Sequence, residues 1–104
     1  MKIADYFFIE GEKNLIFRKE GDKYITFDPE RLEFFKLNHI GAEIMYYISK
    51  QVPLKEMVTI FEQEYKIPSH IAEKDIINFT LNCSFSIHIK NILKDLGFDS
   101  EKIA

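Results

Sequence analysis

The chain has one cysteine, Cys83, in 104 residues, so no disulfide can form within it. That scarcity matches a reducing compartment, and a cytoplasmic location is expected. There is no tryptophan, and the four glycines stand apart from one another, which excludes a glycine-rich loop of the kind that cradles phosphates. No apolar run approaches the roughly 20 residues that cross a bilayer. The opening Met1-Lys2-Ile3-Ala4-Asp5 is not followed by the apolar stretch and cleavage site of a signal peptide. No membrane partner is expected. Basic excess is missing too: Lys and Arg number 14 against 17 Asp and Glu, for a net charge of −3. Proteins that neutralise phosphates carry a basic face, so the balance argues against nucleic acid. His39, His70 and His88 are widely separated and no second cysteine assists them, so no metal site is expected.

Apolar material is plentiful. Hydrophobic residues make up 46% and aromatics 14% of the chain, including ten Phe and five Tyr, enough for one core at this length. The first third reads as strands: Tyr6–Ile9, Leu15–Phe17, Tyr24–Phe27 and Leu32–Leu37, separated by turn-forming pieces such as Glu20-Gly21-Asp22-Lys23 and Asp28-Pro29-Glu30-Arg31. The gaps are too short for crossover helices, so neighbours pair antiparallel. Along the last run, Leu32 and Phe34 point to one face and Phe35 and Leu37 to the other. Both faces are apolar, and only one can cover the core.

From Asn38 the period changes to that of a helix. Asn38 is a candidate N-cap for a stripe of Ile40, Ile44, Met45 and Ile48, ending near Lys50-Gln51 ahead of Pro53. A second helix carries Leu54, Met57, Val58, Phe61 and Tyr65. Ser69 is a candidate cap for a third, which has two apolar stripes: Ile76, Phe79, Thr80 and Cys83, then Ile77, Leu81 and Phe85. Such a helix is covered on two sides, either by its own core or by a partner in a groove. Phe85, Ile89, Ile92, Leu93 and Leu96 add a last amphipathic pattern closed by Gly97. This stripe packs on its own domain, forms a homodimer with a second copy, or docks on a larger enzyme.

No catalytic set emerges. Cys83 and His88, five apart, fall on different faces of a helix, and the simpler reading is a buried thiol and a surface imidazole. Glu62 and Glu64 read as a solvated face, and no cofactor is implied. The chain also lacks the Cys-x-x-x-Cys-x-x-Cys cluster that ligates an iron–sulfur centre. Two binding modes fit a sheet followed by helices. In a winged-helix DNA-binding transcriptional regulator the third helix would enter a groove, yet Lys74 is its only Lys or Arg before Lys90. In strand addition, a peptide joins a sheet edge and buries side chains beside a helix.

Phe27-Asp28-Pro29-Glu30-Arg31, Phe35-Lys36-Leu37-Asn38, Ala42-Glu43-Ile44-Met45, Leu54-Lys55-Glu56-Met57 and Phe61-Glu62-Gln63-Glu64-Tyr65 occur in the order seen in the PqqD-like family. Asp75 and Phe79 continue that pattern, and the chain resembles the family from about Leu15 to Cys83. The resemblance implies an α+β fold: a three-stranded antiparallel sheet followed by three helices, winged helix-turn-helix-like, in residues 1–83. Residues 84–104 are then a C-terminal helical extension or linker. It further implies a non-catalytic RiPP recognition element. Such a domain binds the leader of a ribosomally made precursor peptide as a strand between strand three and helix three, and presents it to a modifying enzyme such as a radical-SAM maturase. Carried over by position, the binding residues are Leu32, Phe34, Phe35, Lys36, Lys74, Ile76, Phe79, Thr80 and Cys83. Because the family pattern stops near Cys83, the extension suggests the N-terminal piece of such a maturase.

Overall fold

A computed structural model describes residues 3–98. Strands β1 (Tyr6–Ile9), β2 (Leu15–Glu20), β3 (Lys23–Asp28) and β4 (Glu33–Leu37) form one antiparallel sheet in the order β1-β2-β3-β4. The sheet thus has four strands, not the three that the resemblance implied. The added strand is β1, which has its own core face to bury. Phe7 and Ile9 alternate inward, and the Phe7 ring stacks on Phe17 with centroids 4.9 Å apart.

Pairing register separates the two faces. Phe7 lies opposite Phe17, Phe17 opposite Thr26, and Thr26 opposite Phe35, so these share the face against the helices. On the other face Phe8 lies opposite Ile16 and Phe27 opposite Phe34. Among the described residues no helix covers that side: Phe8, Ile16 and Phe34 are exposed. Leu32, just before β4, is also exposed and sits at φ 56°, a left-handed conformation that costs a leucine energy.

Helix α1 (His39–Ser49) starts as the sequence indicated. The Asn38 side chain accepts a hydrogen bond from the Gly41 N–H at 2.8 Å. Its burial is broader than one stripe, because Gly41, Ala42, Glu43, Ile44, Met45, Tyr47 and Ile48 are all enclosed while Ile40 is exposed. Helix α2 (Leu54–Tyr65) buries Leu54, Met57, Val58 and Phe61, the i, i+3, i+4, i+7 set read from the sequence. In helix α3 (Ser69–Asn82) the N-cap position falls on Pro68, with no side-chain cap bond, and Ser69 is the first helical residue rather than the cap. It buries Ala72, Ile76, Ile77 and Thr80, which makes it largely a core helix.

Beyond Cys83 the chain folds into a 3₁₀ segment (Ser84–Ile89) and a short helix α4 (Lys90–Asp95). Phe85, Ile89, Leu93, Leu96 and Phe98 enter the same core as the sheet and helices. The stripe considered for a homodimer through Phe85–Leu96 is therefore consumed internally, with Phe85 packed edge-on against Phe17 and Phe35. His88 also departs from the surface role read for it. It is buried, and its Nε2 lies 3.0 Å from Asp28 Oδ1. A helix period applied across a 3₁₀ segment misplaces its faces, which explains the error. The Glu12 N–H donates to the His88 carbonyl at 2.9 Å, and this approach requires Gly11, where a Cβ would collide with that carbonyl.

Burial alone would raise the Asp28 pKa. Hydrogen bonds from His88 and from the Arg31 and Glu30 N–H groups outweigh it, and they hold the carboxyl below the usual carboxylate range.

Candidate functional site

The sheet has two edges, and the direction of each backbone group along them follows from one hydrogen bond. The Lys19 N–H donates to Asp5 O at 2.8 Å, so β2 turns Leu15, Phe17 and Lys19 toward β1. Alternation then turns Ile16, Arg18 and Glu20 toward β3, and turns Tyr24, Thr26 and Asp28 of β3 toward β4. Glu33, Phe35 and Leu37 complete those pairs. The N–H and C=O groups of Phe34 and Lys36 therefore point outward from β4, and among the described residues β4 pairs with no strand on that side.

Near the end of this edge lies an apolar cavity of about 470 Å³ between α1, the end of α2 and α3. Asn38, Ile40, Gly41, Ile44, Tyr65, Ile67, Ile76 and Phe79 contribute to its wall, and Asp75 is its one ionisable acid. Gly41 shapes it: a Cβ there would come within 2.7 Å of the Phe79 ring, so only glycine lets that ring lie on α1. Tyr65 is held from behind. Its hydroxyl donates to Oε1 of Glu43 at 2.7 Å, and Glu43 is 0% exposed. Among the described residues Glu43 Oε2 is buried with no hydrogen-bond partner. Burial first, and then the neighbouring Glu64 carboxylate, raise the Glu43 pKa to about 7 against the opposing pull of the Tyr65 bond.

The residues singled out from the sequence fall into three groups. Ile76 and Phe79 line the cavity, Ile76 being fully enclosed at its floor. Leu32, Phe34 and Lys36 lie on the open edge and outer face, while Phe35 turns inward onto Phe85. Thr80 is buried and bonds the Ile76 carbonyl at 2.8 Å, and Cys83 is half-buried. Lys74 lies apart, around a separate depression with His70, Glu73, Ile77 and Asn78. Two residues before Ile76, it is turned about 200° around α3. Burial pushes the Cys83 thiol up to about 12, which leaves it protonated and unreactive.

Ile40, Gly41, Ile44, Tyr65 and Ile67 were not foreseen as cavity residues. One signal was present in the sequence: a glycine inside a helical pattern marks a close approach.

Among the described residues, no cluster of His, Cys, Asp or Glu could hold a metal ion, and no helix is long and apolar enough to cross a membrane. Comparison with curated proteins and with solved structures returned no match. The sequence model for coenzyme PQQ synthesis protein D (PqqD) matches residues 23–81, which run from the start of β3 almost to the end of α3. That stretch is more than half of the chain and contains both the open β4 edge and the lining of the cavity, and the protein belongs to the PqqD family.

Proposed function

We propose that the domain binds the leader region of a ribosomally synthesised precursor peptide by strand addition to β4 and presents it to a modifying enzyme. The unpaired β4 edge beside the apolar cavity is the observation that carries this reading. Outward groups of Phe34 and Lys36 offer a guest strand main-chain hydrogen bonds, and the Ile40–Phe79 cavity offers an anchor for one or two apolar side chains. The role is non-catalytic. A radical-SAM maturase is the proposed enzyme, acting in RiPP biosynthesis in the cytoplasm.

The division at Cys83 assigns recognition to residues 1–83 and makes residues 84–98 a brace for the sheet. The helix order is that of a winged helix-turn-helix turned to peptide capture.

One added strand with two anchors supports a dissociation constant near micromolar, about −8 kcal/mol. The deciding experiment titrates candidate leader peptides into the wild type and Lys36→Pro. The Lys36 N–H faces away from β3, so proline removes a guest contact and leaves the β3–β4 ladder intact. Binding should weaken about tenfold, the worth of one hydrogen bond. Equal affinity in the two proteins would place the leader somewhere other than β4.

A further inference from the structure

We infer that the cleft beside β1 is a second strand-addition site, one that takes an extended cationic peptide segment. The reasoning is independent of β4. The alternation that turns Phe34 and Lys36 outward also turns the N–H and C=O groups of Tyr6 and Phe8 away from β2, and among the described residues β1 has no strand on that side. Sheet edges that are kept out of use carry Lys, Pro or a bulge. β1 reads Tyr-Phe-Phe-Ile and carries none of these.

Alongside it runs a cleft of about 600 Å³, walled by β1, the last turn of α1 and α4. Its floor is apolar, from Phe7, Ile48 and Leu96, all buried. A guest strand would alternate side chains between this floor and the uncovered outer face next to Phe8.

Charge selects the guest. Glu10 and Asp95 both line the cleft, and neither forms an ion pair with a described residue. The C-terminal end of α1 adds its partial negative charge. The one cation in the wall, Lys50, lies 5.6 Å over the Tyr46 ring. Carboxylates and a helix C-terminus beside an unpaired edge favour a strand bearing Lys or Arg over an acidic one.

Two synthetic seven-residue peptides, alternating Val with Lys or Val with Glu, serve as probes in amide-resolved NMR titrations with hydrogen exchange. The Lys peptide should bind and slow exchange at Tyr6 and Phe8, at least tenfold more tightly than the Glu peptide. The double variant Glu10→Lys/Asp95→Lys should remove that preference. Phe8→Pro should abolish protection at Tyr6, and Lys36→Pro should leave it unchanged, which separates this site from the one on β4. Equal binding of the two peptides overturns the proposal. So does a lack of change at Tyr6 and Phe8 up to millimolar peptide, or protection of those amides by a second copy in protein alone. Should Phe8→Pro fail to fold, the charge-reversal pair alone decides.

Discussion

Replacing Glu43 by Gln isolates the cost of one buried carboxylate. Glu43 is 0% exposed on α1, its Oε1 accepts from the Tyr65 hydroxyl, and its Oε2 has no hydrogen-bond partner among the described residues. Its pKa rises from 4.5 in the unfolded chain to about 7 in the fold, through burial first and Glu64 second. Because the folded pKa is the higher one, the folded state binds the extra proton between these values. Stability is therefore full below pH 4.5 and falls as pH rises through about 7. A shift of that size sets an upper limit of about 3 kcal/mol on the loss.

Gln carries no charge, and its Oε1 still accepts from Tyr65. Its amide N–H₂ meets the same lack of a partner as Oε2, which takes back about 1 kcal/mol. The variant should then lie about 1 kcal/mol below the wild type near pH 4 and exceed it by about 2 kcal/mol at pH 8, the latter about 10 °C in Tm for a domain of this size. Urea titrations of the two proteins at intervals from pH 4 to 8 measure the difference, and titrations common to them cancel. Parallel stability curves would refute the reasoning, since they would mean that Glu43 ionises without penalty.

Removing the partner of Asp28 by His88→Ala should cost about 3 kcal/mol in urea unfolding, because a carboxylate stays buried with only the Glu30 and Arg31 N–H groups. The Asp28 pKa is depressed, so its contribution is present above the unfolded value of 3.8 and is lost as pH falls through the lower folded one; His88→Ala should flatten that acid limb. Gly41→Ala should leave stability within about 1 kcal/mol, since helix propensity gained offsets displacement of the Phe79 ring. The same change should weaken leader binding at least tenfold, measured by calorimetry. Cys83, with its thiol pushed up to about 12 by burial, should alkylate with iodoacetamide at pH 8 far more slowly than a free cysteine, followed by mass spectrometry.

Local patterning made most of this architecture readable. Strand positions followed from alternation of aromatic residues, and even the opposite facing of Phe34 and Phe35 holds. Asn38 and the Leu54–Phe61 stripe did the same for the helices, since caps and amphipathic faces are short-range features. Features that depend on contacts across the chain were hidden. His88 looked like a surface residue because nothing near it in sequence reveals Asp28, 60 positions earlier. Ile40 joined an apparent core stripe yet stands half-exposed at a cavity mouth, because α3 meets α1 at Gly41 rather than there. The β4 edge residues lay within reach of sequence reasoning, while the walls supplied by α1 and α2 needed the packed fold.

Sheet order equals chain order, so each strand joins the one before it across a short turn, and the four can zip up as successive hairpins. The ties that close the molecule join segments far apart in the chain: Glu12 to His88, Asp28 to His88, and the Leu54 N–H to the Leu96 carbonyl. Folding should accordingly have a late step that waits for residues 85–98 to arrive. A chain still growing on the ribosome, or cut at Cys83, would hold Phe17 and Phe35 without the Phe85 ring that covers them. Such a fragment should need a chaperone or aggregate.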